Sequence, residues 1–161
     1  MSQLFTAAFI TQLFASTLRM ATPVLYASLG ETFSQRSGVT NIGIESIMMI
    51  GACTGFIGAS LTGSLFLGLL IAMASGIFIN ALFAVGVILF HGNQIVLGTA
   101  LNILAAGLST FIYRSAFGIL SVPETIEGFK RISIPLLSKI PILGEVLFDQ
   151  NILVYAALLL V

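Results

Sequence analysis

The sequence predicts an all-α integral membrane fold, a polytopic helical bundle, and three observations predict it. Hydrophobic residues make up 58% of the 161 while charged residues make up 7%, far below the roughly one-quarter charged share of a soluble domain. Apolar runs recur at lengths able to cross a hydrocarbon core of ~30 Å. Small residues recur every fourth position inside those runs, which lets helix backbones approach closely in lipid. We expect about four complete transmembrane helices, a cut-off fifth and a broken helix near 38–45, in one domain over 1–161. Six basic and six acidic residues balance to zero, which leaves no electrostatic footprint for nucleic acid.

The first helix is expected over about 4–29. Met1-Ser-Gln-Leu4 carries no basic residue and the polar Thr11-Gln12 pair interrupts the first apolar run, so this helix reads as retained, not as a cleaved signal peptide. Arg19 and Pro23 lie within it, and the missing N–H of proline predicts a bend near Thr22–Pro23. A charged Arg19 inside the membrane must face protein, water or a carboxylate, with Glu31 and Glu45 available, or else reach a headgroup. Residues 30–40, holding Glu31, Gln35 and Arg36, read as a polar connection.

Next comes the stretch on which the chain is organised, Arg36 to Gly51. Gly38 and Gly43 interrupt the apolar pattern, and Asn41 and Glu45 put polar atoms where a bilayer resists them. Non-helical backbone and a carboxylate are tolerated in lipid only where protein or a water-filled cavity surrounds them. The stretch therefore reads as a break at the start of a buried helix, which runs over about 43–61.

That helix is striped by Gly51, Gly55, Ala59 and Gly63. A third, over about 65–90, carries Gly68, Ala72, Gly76, Asn80 and Ala84, and a fourth, over about 94–113, carries Gly98, Asn102, Ala106 and Thr110. We read Gly51, Gly55, Gly68, Gly76 and Gly98 as packing seams. Asn80 and Asn102 sit in the middle of their helices, where an amide either bonds a neighbouring helix or lines a solute path. His91, the single histidine, falls in the turn 91–94 with no metal-ligand spacing around it, so no metal site is expected. Cys53 stands alone in an apolar run and reads as a small hydrophobe without an intrachain disulfide partner.

Residues 116–151 form the long non-spanning segment, with Pro123, Pro135, Pro141 and the amphipathic 132–144 piece, expected to lie along the membrane surface or to dip back into the protein. A fifth helix starts at about Ile152 and reaches ~15 Å by Val161. A carboxylate there would be stranded in hydrocarbon, so this reading expects a truncated product, an artificial boundary or one end of an interrupted gene.

Four segments together carry a family likeness: Thr17-Leu-Arg-Met-Ala-Thr-Pro23, Ser34-Gln-Arg-Ser-Gly-Val-Thr-Asn-Ile-Gly-Ile-Glu45, Gly92-Asn-Gln-Ile-Val-Leu-Gly98 and Ile140-Pro-Ile-Leu-Gly144. In collinear order over essentially the whole chain, they resemble the permease subunits of bacterial ABC importers for nucleosides and simple sugars, of the ribose and branched-chain amino acid permease type. The likeness is nearest to the second permease of nucleoside systems that work with a basic-membrane-protein-like lipoprotein. Ser46 departs from the pattern, since the family commonly has Gly after the Glu. The resemblance implies a multi-pass protein of the bacterial plasma membrane, embedded in lipid. It would pair with a second permease subunit, an ABC ATPase and an extracytoplasmic solute-binding lipoprotein. The chain has no Gly-x-x-x-x-Gly-Lys-Ser/Thr phosphate loop, so ATP would be used by the partner subunit and no cofactor would be held here. In the family the ATPase-docking loop and a second set of helices follow the helix begun at Ile152, so the chain as it stands is expected not to couple ATP hydrolysis to transport.

The resemblance also implies an outside N-terminus, the Arg36 connection inside, the Thr62 turn outside, the His91 turn inside and the long segment outside. Counting basic residues alone prefers the reverse, because Lys130, Arg131 and Lys139 all fall in the long segment, beside Glu124, Glu127, Glu145 and Asp149. We adopt the family order. As the polar part of a solute path we single out Asn41, Glu45, Asn80 and Asn102, with Arg19 as an intramembrane charge. Apolar walls of Phe, Met and Ile would complete a nucleoside site. Two alternatives stay open: a permease for a simple sugar or branched-chain amino acid, and a non-transporting scaffold or remnant. An enzyme is not expected, because one His, one Cys and no paired carboxylates at helical spacing offer no nucleophile–base set.

Overall fold

A helix that packs in lipid gains little from hydrophobicity, so close backbone approach must supply the contact. That approach is seen where α2 (Ile44–Thr62) meets α3 (Leu65–Ala84). A Cβ built on Gly55 would lie 2.9 Å from Ala72 Cβ, and one built on Gly68 would lie 2.8 Å from the Gly55 carbonyl and 2.7 Å from Ala59 Cβ. Gly51 faces the Ala72 carbonyl and Gly76 faces Ile47. The pairing order (51 with 72, 55 with 68, 47 with 76) makes the two helices antiparallel. A hydrogen bond of 2.7 Å between Thr54 Oγ1 and Ser75 Oγ crosses the same seam. Gly63 is not part of it: at φ +65° it caps α2 in the left-handed conformation, its N–H bonding the Ala59 carbonyl at 2.9 Å, a place suited to glycine.

The computed structural model describes residues 7–118, 125–126, 128–133 and 143–161. Residues 1–6, Pro123, Glu124, Glu127, Pro135, Lys139, Pro141 and most of the amphipathic 132–144 piece, including Ile140 to Ile142 of the family motif, lie outside them. The chain divides into two compact units, Met1–Gly30 with Phe129–Val161, and Glu31–Gly128.

In the second unit α2 is central, with α3 on one side and α4 (Gln94–Phe117) on the other. α4 runs parallel to α2: Gly98 lies at Ile42–Gly43, Asn102 bonds Ser46, Cys53 Sγ bonds the Ser109 carbonyl at 3.3 Å, and Phe56 stacks on Tyr113 and Phe117. One buried residue from each helix, Ile50, Ile79 and Ala105, forms the core cluster, with Ile47 and Met49 packed on it. Gly98, Asn102, Ala105 and Ser109 thus face α2, while Ala106 and Thr110 are exposed. A strict i+4 ladder drifts about 40° per step on a 3.6-residue helix, so the expected Gly98-Asn102-Ala106-Thr110 stripe leaves the contact face after Asn102.

The third helix does not end as a plain α-helix. Val85–Leu89 is a π-helical turn, Phe90 N–H bonding the Val85 carbonyl at 3.2 Å. A short turn follows in which His91 adopts φ +52°, and Asn93 caps α4, its Oδ1 accepting from Ile95 and Val96 N–H at 2.9 and 3.3 Å.

The first helix, α1 (Ala7–Arg36), is longer than expected and takes in residues 30–36, most of the segment read as a polar connection. Gly30 costs such a helix about 1 kcal/mol against alanine, but Gln35 Nε2 donates to Glu31 Oε1 one turn away at 3.1 Å, an i,i+4 pair of the kind that supports a helix. The residues on both sides of Pro23 are helical. Thr22 Oγ1 bonds the Leu18 carbonyl and Arg19 Nε bonds the Ala15 carbonyl at 3.1 Å.

In the first unit Tyr26 OH donates to the Leu153 carbonyl at 2.8 Å. β1 (Arg131–Ser133) pairs antiparallel with β2 (Asp149–Asn151), a short ladder the all-helical expectation did not contain; α5 (Leu143–Phe148) precedes β2 and α6 (Ile152–Leu160) follows it. Asn151 ends the ladder and starts the helix, its Oδ1 accepting from Val154 N–H at 3.0 Å, a cap worth about 1 kcal/mol.

Three helices among the described residues are long and apolar enough to cross a membrane: Ile44–Thr62, Leu65–Leu89 and Gln94–Phe117. The described residues are therefore predominantly helical, as in an α-helical membrane protein, with one small ladder added.

The α2–α3 seam makes a prediction. Gly68→Ala should lose about 1–3 kcal/mol, because the new methyl meets backbone and must separate the helices. Gly107→Ala, where nothing lies within 4 Å, should be neutral or gain up to about 1 kcal/mol. Unfolding of the purified protein from mild into denaturing detergent measures both, and equal effects would remove the seam from the account.

Candidate functional site

The break between α1 and α2 covers seven residues, 37–43, and the question it poses is where its peptide groups find partners. Ser37 and Gly38 N–H bond the Ser34 and Gln35 carbonyls, both at 3.0 Å, closing the end of α1; Val39 N–H returns to the Ser34 carbonyl at 3.3 Å. Beyond that, Ile42 N–H bonds the Thr40 carbonyl at 3.2 Å and side chains meet other groups of the break. Thr40 N–H donates to Gln94 Oε1 at 2.8 Å and Asn41 N–H to Glu31 Oε1 at 3.0 Å. Ser34 Oγ donates to the Val39 carbonyl at 2.9 Å. Asn102 Nδ2 donates to the Ile42 carbonyl at 3.2 Å while its Oδ1 accepts from Ser46 N–H at 2.9 Å. Helices α1 and α4 thereby clasp the break from two sides.

The side chain of Asn41 points to the third helix. It is 7% exposed, and its Nδ2 donates to Asn80 Oδ1 at 2.9 Å. Two acceptors at this cluster, Glu31 Oε2 and Asn41 Oδ1, are buried with no donor. The cluster is thus rich in acceptors and poor in donors. Gln94 opens α4, so the Thr40–Gln94 bond sets the break at the same end of the helices as the His91 turn. Asn102 lies eight residues further along, about 12 Å in.

Packing at the break leaves no room for side chains. A Cβ on Gly98 would lie 2.8 Å from Gly43 N and 2.9 Å from Ile42 Cβ, and one on Gly43 would lie 3.2 Å from Asn41 Oδ1. Ser46, fully buried, folds its hydroxyl back onto the Gly43 carbonyl. The hydroxyl therefore occupies the space a glycine would leave and adds a second tie across the break.

The description of a permease component of branched-chain amino acid transport systems matches residues 13–161. The chain belongs to that permease family. Three relatives place this permease sequence among named proteins. A glucose-named ABC transporter permease of Haloferax volcanii is 36% identical over 157 residues, 95% of this chain and 46% of the relative. The guanosine ABC transporter permease protein NupQ of Bacillus subtilis is 39% identical over 141 residues, 84% of this chain and 44% of the relative. The nucleoside ABC transporter permease protein NupC of Lactococcus lactis is 32% identical over 145 residues, 85% and 45% respectively. The permease chain spans less than half the length of each. No solved structure matches it.

Of the residues singled out in the permease sequence, Asn41, Asn80 and Asn102 come together at the break. Glu45 stands in the first turn of α2 and is exposed; a carboxylate there suits the positive end of the helix. Arg19 lies in the other unit, bonded to its own helix, and Glu31 is engaged by Gln35 and Asn41. The central roles of Glu31 and Gln94 were not anticipated, whereas Ser46, marked in the sequence as a departure from the family pattern, ties the start of α2 through its hydroxyl to the Gly43 carbonyl. A signal for Glu31 was present: a carboxylate in the last turns of a helix opposes the dipole there, which asks for a specific partner.

Asn41 and Asn80 should couple. A double-mutant cycle with Asn41→Ala and Asn80→Ala should give an interaction of about 0.6–1.7 kcal/mol, the range of interhelical side-chain bonds in membranes. A cycle that closes to zero in detergent unfolding would mean the bond contributes nothing.

Proposed function

We propose that this chain is part of the membrane-spanning permease of an ABC importer for nucleosides or a related small polar solute, in the plasma membrane of a bacterium. The observation that carries the reading is the Asn41–Asn80 cluster at the helix break of a permease-family chain. It is an acceptor-rich group set among apolar helices, with Asn41 buried and Asn80 exposed, and nucleosides bring N–H and O–H donors to match. Names of relatives support the solute class: two are named for nucleosides or guanosine. Asn41, Asn80 and Glu45 form the polar part of the path.

In this reading α1 is a fourth membrane span, α6 the start of a fifth, and the break and the His91 turn face the cytoplasm. A separate ATPase subunit hydrolyses ATP, a second permease subunit completes the path, and a solute-binding lipoprotein delivers the solute from outside. The chain itself is not an enzyme. A second reading, a simple sugar as the solute, is favoured by the relative named for glucose.

The test is uptake of labelled guanosine by cells with and without the gene, in competition with excess adenosine, glucose and leucine. Deletion should abolish uptake, and adenosine should compete while glucose and leucine do not. Uptake that survives deletion removes the importer reading, and competition by glucose alone moves the solute to a sugar. In the complete importer Glu45→Gln should cut uptake by about tenfold; unchanged uptake takes that carboxylate out of the path.

A further inference from the structure

We propose that Asn102 is a positioning residue, which holds the Ile42–Ser46 backbone so that the Asn41 side chain is presented to Asn80. This rests on the importer reading above and replaces the expectation that Asn102 itself meets the solute. Both ends of its amide are engaged with backbone: Oδ1 accepts from Ser46 N–H at 2.9 Å and Nδ2 donates to the Ile42 carbonyl at 3.2 Å. The two bonds bracket Gly43, the residue at which the break becomes helix α2. One turn earlier on the same helix, Gly98 brings the α4 backbone against Gly43 N and Ile42 with no side chain between. Gly98 therefore sets the distance from α4 to the break, and Asn102 sets the break's orientation.

The chemistry requires an asparagine. Its amide donates and accepts at a fixed spacing of one carbon from the Cβ. Aspartate accepts from Ser46 but repels the Ile42 carbonyl, leucine does neither, and glutamine is one methylene too long. Asn102 fixes the Ile42–Gly43 peptide plane, one peptide on from Asn41, whose own N–H is held by Glu31 Oε1, so the short backbone that carries the Asn41 side chain is tied on both sides. If the Ile42 carbonyl is released, that plane is free to rotate, and the Asn41–Asn80 geometry changes with it.

Three readouts in the complete importer test this. Asn102→Asp and Asn102→Leu are compared with wild type for membrane abundance, for the ratio of guanosine to adenosine uptake rates, and for hydrogen exchange of the backbone over 41–46. A loss of folding lowers both uptake rates by one common factor. A loss of positioning changes their ratio, because the two bases meet the Asn41 amide differently. The expected result is abundance near wild type for Asn102→Asp, a ratio shifted about threefold or more, and exchange over 41–46 faster by about tenfold. An unchanged ratio in both variants, unchanged exchange, or the absence of both variants from the membrane overturns the proposal. Wild-type cells that take up neither nucleoside refute the nucleoside reading instead, and the exchange measurement alone then decides the role of Asn102.

Discussion

A peptide group withdrawn from water that finds no hydrogen-bond partner costs free energy, and the structure around residues 37–43 depends on this where the backbone is buried, at Asn41 and Gly43. A helix satisfies its own backbone; a break cannot. Here the chain leaves α1 at Arg36 and enters α2 at Ile44, and its intervening peptides are met by Glu31, Ser34, Gln94 and Asn102. Each of those side chains has to be held at the right depth. The close backbone contacts at Gly98, Gly43, Gly55 and Gly68 bring the helices near enough for such short side chains to reach. Removing the Glu31 tie leaves the N–H of buried Asn41 bare, which costs more than the bond itself contributes.

The same constraint explains why polar residues sit where they do. Asn41 has its N–H fixed to Glu31, which frees its side chain to turn toward Asn80. The cluster that results has more acceptors than donors, an imbalance a purely structural cluster would tend to remove. In the proposed importer that imbalance is a means of meeting a donor-bearing solute. Glu45 and Asn80 are exposed on this chain, so the polar cluster reaches a surface and is not sealed within the three helices.

Much of this was legible in the residues. Composition alone gave a membrane protein, and the Gly38–Gly43 interruption beside Asn41 gave a break before α2. Close contacts of Gly55, Gly68 and Gly98 lay in the small-residue spacing. What spacing could not resolve was phase: the α4 face turns away at Ala106 and Thr110 because the helix repeats every 3.6 residues, not every four. Nor could it show that α1 continues through Gly30 to Arg36, since that depends on a Glu31–Gln35 pair and on the break that Glu31 supports. The β1–β2 ladder pairs residues eighteen or so apart, a non-local contact with no periodic signature.

The sequence by itself determined the solvent this protein lives in, the approximate helices and the family to which it belongs, because these follow from hydrophobicity, length and motif. The tertiary structure decided the roles. It made α2 the centre, set α3 antiparallel and α4 parallel to it, assigned Gly63 to a cap and turned the Asn102 amide toward backbone. Those outcomes depend on which groups meet across helices, and an asparagine in a row of letters has the same donors and acceptors whether it meets a solute or the Ile42 carbonyl. Only the distances tell the two apart.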